Sequence, residues 1–134
     1  MSPRDDSPSQ ATDATTTVAE LREVLAQFVA ERDWSQFHSP KNVSMALAIE
    51  VAELMEHFQW LTIEASRKLA EDPQKLAAVG EELADVIGYS FVLANVLGID
   101  VSSAMRNKMV KNRLKYPAEE YRGRYGPKDD GTGR

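Results

Sequence analysis

The sequence predicts an all-α fold, and three observations predict it. Apolar residues recur at three- and four-residue intervals through long segments of the chain. Each of those segments opens on a helix-capping signal. Alternating apolar and polar runs, which would mark strands, are nearly absent. At 134 residues, with 43% hydrophobic and 28% charged, the chain suits one globular domain rather than two.

Four helices carry the pattern. Thr17 and Glu20 match a capping box, and Val18, Leu21, Val24, Leu25, Phe28 and Val29 then follow helical spacing to about Arg32. Ser39-Pro40 is a cap followed by proline at the first helical position, and opens a second helix running to about Trp60. Asp72-Pro73 repeats that signal for a third, which runs to about Leu97 with Gly98 as its stop. The fourth takes Asp100 as its cap and ends before Pro117. A short helix is expected near residues 63–70. Around this 17–117 domain, residues 1–16 are rich in Ser, Thr, Asp and Pro, and residues 118–134 are charged and rich in Gly and Pro. Neither stretch carries enough apolar surface to offset ordering, so both are expected to be mostly flexible tails.

From Leu83 onward the third helix is apolar on almost every side, with Leu83, Ala84, Val86, Ile87, Tyr89, Phe91, Val92, Leu93, Val96 and Leu97. Such a helix needs burial all round, and four helices of one chain cannot surround it. The expectation is a homo-oligomer whose subunits share the core.

Composition excludes several classes. The absence of Cys removes disulfides and thiolate metal sites, and two His, His38 and His57, make a His-rich zinc site untenable. A net charge of −5 argues against a general nucleic-acid binder. The N-terminus is polar and acidic with no secretory signal, and the apolar stretch 83–97 is interrupted by Asp85, Ser90 and Asn95. No membrane association is expected, and the cytoplasm is the expected location.

The chemistry lies in two acidic pairs. Glu50 and Glu53 sit mid-way along the second helix, and Glu82 and Asp85 mid-way along the third. A spacing of three puts both carboxylates of a pair on one helix face. A lone pair of this kind is ordinarily a solvated face. Here both pairs sit in strongly apolar runs and lack a basic partner three or four residues away. Four carboxylates brought together by side-by-side helices would repel and be costly to desolvate, and a divalent cation removes that cost. All-oxygen ligation favours Mg²⁺, with Mn²⁺ as the alternative. Glu56 and Glu81 flank the pairs. A di-iron bundle needs Glu-x-x-His twice, whereas Glu53 and His57 are four apart and have no second copy.

The fourth helix is basic, with Arg106, Lys108, Lys111, Arg113 and Lys115 and no acid among them. Lys108 and Asn112 are one turn apart, and an ammonium beside an amide suits phosphate oxygens. Trp34, His38 and Trp60 fall at or near the ends of the first two helices, where they offer stacking surfaces and a hydrogen-bonding group for a base.

These elements together resemble a known family. The runs are Trp34-Ser-Gln-Phe-His38-Ser-Pro-Lys-Asn42, Glu50-Val-Ala-Glu53-Leu-Met-Glu56-His-Phe-Gln-Trp60, Glu81-Glu82-Leu-Ala-Asp85-Val-Ile-Gly-Tyr89 and Lys108-Met-Val-Lys-Asn112-Arg113-Leu-Lys-Tyr116-Pro117. In this order they resemble the MazG-like all-α nucleotide pyrophosphohydrolases over about residues 18–117, and within them the dCTP pyrophosphatase branch. Many members begin the first motif with two adjacent Glu; here Ile49 precedes Glu50, as the dCTP branch would have it.

The resemblance implies a four-helix bundle assembled as a homo-oligomer, a tetramer before a dimer, with sites at subunit interfaces. It implies that Glu50, Glu53, Glu82 and Asp85 hold magnesium. Lys108, Asn112 and Tyr89 would contact the triphosphate, and Trp34, His38 and Trp60 would line the base pocket. The implied reaction is hydrolysis of a nucleoside triphosphate, dCTP or modified dCTP first, to the monophosphate and pyrophosphate. The general base stays open between Glu56 and the ion. The alternatives are a related enzyme acting on dUTP or another non-standard nucleotide, and a helical oligomer that binds nucleotide without turnover.

Overall fold

The structure is a computed structural model and describes residues 11–124. Among them, six α-helices and two 3₁₀ turns follow one another, with no strand. The chain divides after Gly98 into two compact units.

The first unit begins with a turn closed by the Thr15 N–H donating to the Thr12 carbonyl at 2.9 Å. Helix α1 (Val18–Glu31) starts at Thr17, whose hydroxyl accepts from the Glu20 N–H at 3.1 Å while the Glu20 carboxylate accepts from the Thr17 N–H at 2.7 Å. This is the expected reciprocal box, which satisfies two N–H groups the helix cannot reach. A 3₁₀ turn, Trp34–Phe37, then redirects the chain. Asp33 starts it with φ of 51°, a left-handed conformation that a short polar residue tolerates.

Helix α2 (Pro40–Glu56) is capped by Ser39, whose Oγ accepts from the Asn42 N–H at 3.1 Å. It ends four residues before the expected Trp60. The N–H groups of His57 and Phe58 donate to the carbonyls of Leu54 and Met55, so the ladder tightens from four-residue to three-residue spacing. No Gly or Pro marks this end. Thr62 caps α3 (Ile63–Arg67), and a 3₁₀ turn at Leu69–Glu71 completes the short helical stretch expected near residues 63–70.

Helix α4 (Pro73–Leu97) is the longest element. Asp72 Oδ1 accepts from the Gln74 and Lys75 N–H groups at 3.0 and 3.2 Å, and Gly98 closes the other end at φ 67°, where a side chain would be strained. α4 packs along α2 more extensively than along α1. The buried apolar residues are Val43 on α2, Leu69 in the second 3₁₀ turn, and Val92 and Ala94 on α4. Within one chain α4 is far from buried all round: Leu83, Ile87, Val96 and Leu97 are 42–51% exposed. No single helix among the described residues is long and apolar enough to cross a membrane.

The second unit holds α5 (Val101–Lys115), capped by Asp100, whose Oδ1 accepts from the Ser103 N–H at 2.8 Å, and α6 (Ala118–Tyr121). α6 is a single turn inside the stretch expected to be mostly flexible, and the Tyr121 ring meets Tyr116 edge-on at 5.1 Å. Residues 1–10 and 125–134 of the two expected tails lie outside the described residues.

The Asp72 cap gives a stability test. Asp72→Ala should lower the unfolding free energy by about 1 kcal/mol, and Asp72→Ser should restore most of it. Equal stability of wild type and the alanine variant in urea unfolding would show that the cap does not anchor α4.

Candidate active site

The two helices that share the most packing, α2 and α4, also carry the acidic pairs. One oxygen each from Glu50, Glu53 and Glu82 lies within 4.8 Å of the other two. Glu50 and Glu82 are half-buried and Glu53 is exposed. One oxygen of each half-buried carboxylate, Glu50 Oε2 and Glu82 Oε2, is sequestered from solvent without a hydrogen-bond partner. Leaving such acceptors unsatisfied is costly.

The electrostatics follow. Desolvation, reinforced by the neighbouring charges of Glu53 and Asp85, raises the Glu50 carboxyl above its ordinary 4.5. Desolvation and the same two charges raise Glu82, and His57 opposes the rise. Converging anions with orphaned oxygens fit a hard divalent cation, which would supply the missing partner and remove the repulsion at once. This cluster of three carboxylates can hold a metal ion. Asp85 lies outside the 4.8 Å group, yet its charge reaches both Glu50 and Glu82.

Asp85 also lines an adjoining cleft of about 370 Å³. One wall is the α4 stripe Ala84, Asp85, Gly88, Tyr89 and Val92, and the other is Leu25, Phe28 and Val29 of α1 with Trp34 and His38. That size and mostly apolar lining suit a small ligand held by a few polar groups. Trp34 meets Phe28 edge-on at 5.7 Å, and His38 lies at 6.4 Å from Trp34. His38 Nδ1 is buried and has no hydrogen-bond partner among the described residues.

The structure therefore gathers Glu50, Glu53 and Glu82, and brings Trp34, His38, Asp85 and Tyr89 to one cleft. Trp60 stands in the turn after α2, 87% exposed and away from the cleft lining. Glu56 is the exposed last residue of α2, one turn beyond Glu53. Lys108 and Asn112 lie on α5 of the second unit, where Asn112 Nδ2 approaches Met109 Sδ at 4.0 Å. Sequence reasoning did not single out Leu25, Phe28 and Gly88 for the cleft. A Cβ at Gly88 would meet Leu25 Cδ2 at 3.7 Å, an ordinary van der Waals contact, so α1 faces α4 there across room for a methyl group. The only sign in the sequence was a glycine inside a helical run.

Fold and site together define a class: an all-helical protein in which carboxylates from two packed helices form a candidate cation site beside an aromatic cleft. The MazG-like family matches residues 45–125, which include all four residues of the acidic pairs. The chain belongs to that family. It is 43% identical over 107 residues to dCTP pyrophosphatase 1 of Bos taurus, covering 80% of this chain and 63% of the relative. It is 44% identical over 102 residues to the Homo sapiens protein of the same name, covering 76% of this chain and 60% of that one. The chain thus spans less than two thirds of the length of these curated relatives. A solved pyrophosphatase from Archaeoglobus fulgidus superposes with a TM-score of 0.69 at 39% identity, covering 74% of this chain and 91% of that one.

The raised carboxyls give a pH test. With folded-state values above 4.5, the folded chain holds these protons more tightly than the unfolded chain does. That stabilisation is present at low pH and is lost as pH rises through the raised values. Metal-free wild type should therefore lose more stability than Glu82→Gln between about pH 4.5 and neutrality. Magnesium at neutral pH should raise the melting temperature of wild type and not of the variant. Parallel pH profiles with equal magnesium shifts, read by thermal melting, would contradict the cluster's electrostatics.

Proposed function

We propose that this protein is a magnesium-dependent nucleoside triphosphate pyrophosphohydrolase, with dCTP or a modified dCTP as its substrate. The observation that carries the reading is the junction at Asp85. This residue stands on the cleft wall while its charge acts on the carboxylates of the cation site. A base in the cleft and a polyphosphate at the acidic cluster would then belong to one ligand. The printed names of the relatives, dCTP pyrophosphatase 1 and pyrophosphatase, support the same reaction and base.

In this reading Glu50, Glu53, Glu82 and Asp85 hold the ion. The bound cation would neutralise negative charge developing on the phosphoryl oxygens. Trp34 offers a ring face to the base, and the free Nδ1 of His38 offers a hydrogen bond to its edge. Tyr89, which lines the cleft with Asp85, is the residue proposed to meet the first phosphates. Lys108 and Asn112, on one face of α5, are the residues proposed to meet the outer phosphates. Water attacks the α-phosphorus, the bond from that phosphorus to the α–β bridging oxygen breaks, and pyrophosphate leaves. The water's proton would go to Glu56, exposed one turn after Glu53, or the attacking hydroxide would be generated by the ion itself.

The protein is further proposed to be a homo-oligomer with a four-helix bundle shared between subunits, a tetramer before a dimer. Supporting this, large apolar side chains stand exposed on every long helix: Phe28 on α1, Ile49 and Met55 on α2, Leu83 and Ile87 on α4, and Met105 and Leu114 on α5. A soluble monomer seldom leaves so much apolar surface open to water.

Three outcomes are expected. Glu53→Gln and Asp85→Asn should each lower kcat for dCTP more than about 100-fold with the helical circular dichroism unchanged. Full activity in both with magnesium present would remove the site assignment. His38→Ala should raise KM and weaken base discrimination more than it lowers kcat, and unchanged selectivity across a nucleotide panel would take His38 out of the pocket. Light scattering should give a mass near four times the 14.9 kDa chain, whereas a monodisperse monomer would refute the shared core.

A further inference from the structure

We propose that Asn95 is a positioning residue for the nucleobase cleft. Its carboxamide clamps α1 to α4 through Arg22, and the clamp sets the separation of the cleft walls and hence which bases fit. The inference rests on the pyrophosphohydrolase reading for the identity of the ligand, and on geometry for the clamp.

The cleft is a seam between two helices. Between its α1 wall (Leu25, Phe28, Val29) and the apolar part of its α4 wall (Ala84, Gly88, Val92), its width follows the distance between those helices. Packing alone holds α1 weakly: none of its residues is buried, and it meets α4 over a smaller surface than α2 does. At Gly88, which carries no side chain, an added Cβ would sit in ordinary van der Waals contact, 3.7 Å from Leu25 Cδ2. A small slide or tilt of α1 would therefore change the space left for a ring.

What ties α1 down is a two-way hydrogen bond. Arg22 Nε donates to Asn95 Oδ1 at 2.8 Å, and Asn95 Nδ2 donates to the Arg22 carbonyl at 3.2 Å. The clamp thus grips both the side chain and the backbone of α1. It joins residues 73 apart in sequence and is partly buried, whereas side-chain bonds such as Gln36 to Asp33 or Ser90 to Val86 stay within one turn. A carboxamide is suited to this because it donates and accepts along one edge.

The position of the clamp is as informative as its bonds. Gly88, Val92 and Asn95 are spaced by four and three residues, so they share one stripe of α4. Arg22 lies one turn before Leu25 on α1. A second stretch of the same seam, about 360 Å³, is lined by Asn95 and Ser35 together with Leu25, Val29, His38 and Val92, four residues that also line the cleft. Asn95 therefore stands at the end of the seam away from Asp85, beyond His38. It is placed to fix the walls rather than to touch the phosphates.

The test uses the full-length enzyme with magnesium and the triphosphates dCTP, dUTP, dTTP and dATP. Asn95→Leu keeps the volume and removes both bonds; Arg22→Met removes the Nε donor alone and guards against a variant that fails to fold. The expected result for Asn95→Leu is a rise of about tenfold in KM for the preferred nucleotide, kcat at saturation within about twofold, and a narrower spread of kcat/KM across the four. Arg22→Met should move the same quantities in the same direction by less. The double variant should be no worse than Asn95→Leu, as expected of two residues acting through one contact. Unchanged KM and selectivity, or a fall in kcat that tracks lost folded protein while KM stays constant, would overturn the clamp and leave the reaction intact. A wild type that turns over none of the four would overturn the reaction, and the clamp's role in it as well.

Discussion

Gathering like charges on two packed helices is the constraint on which the rest of the structure depends. Glu50, Glu53 and Glu82 bring oxygens within 4.8 Å of one another, and Oε2 of Glu50 and of Glu82 is buried without a partner among the described residues. A fold gains nothing from such an arrangement by itself; desolvation and mutual repulsion both oppose it. It persists because the packing of α2 along α4 over-determines it, and it becomes favourable once a cation joins the oxygens. The devices that fix those helices, Ser39-Pro40, Asp72-Pro73 and the left-handed Gly98, serve the site as much as the scaffold.

The cleft depends on a different and weaker contact. α1 contributes one wall and the 3₁₀ turn after it contributes Trp34 and His38, yet α1 has no buried residue. The acidic cluster thus stands on the pair of helices that share the most packing, and the cleft leans on a helix held partly by hydrogen bonds. Asp85 joins the two regions, exposed on the cleft wall and electrostatically linked to the cluster.

Much of this was legible in the sequence, for local reasons. Thr17, Ser39, Asp72 and Asp100 each accept from backbone N–H groups at the start of a helix, as their types predict. The three-residue spacing of each acidic pair placed its carboxylates on one face, while the packing of α2 along α4 that brings the pairs together was only a condition of that reading. What escaped notice was set by distance or by tolerance. Asp33 adopts a left-handed conformation without glycine, so nothing announced the 3₁₀ turn that carries Trp34. The end of α2 at Glu56 has no breaker, only a tightening ladder. Arg22 and Asn95 are 73 residues apart, and no local pattern could pair them. Trp60, expected to line the base pocket, stands 87% exposed and is not among the residues that line the cleft.

We propose that one or more hard cations join carboxylates from α2 and α4. Anomalous diffraction from crystals of the full chain grown with manganese tests it most directly. The account predicts a strong peak bonded to oxygens of Glu50, Glu53 and Glu82. Carboxylates turned apart into solvent, with no anomalous density between them, would contradict it.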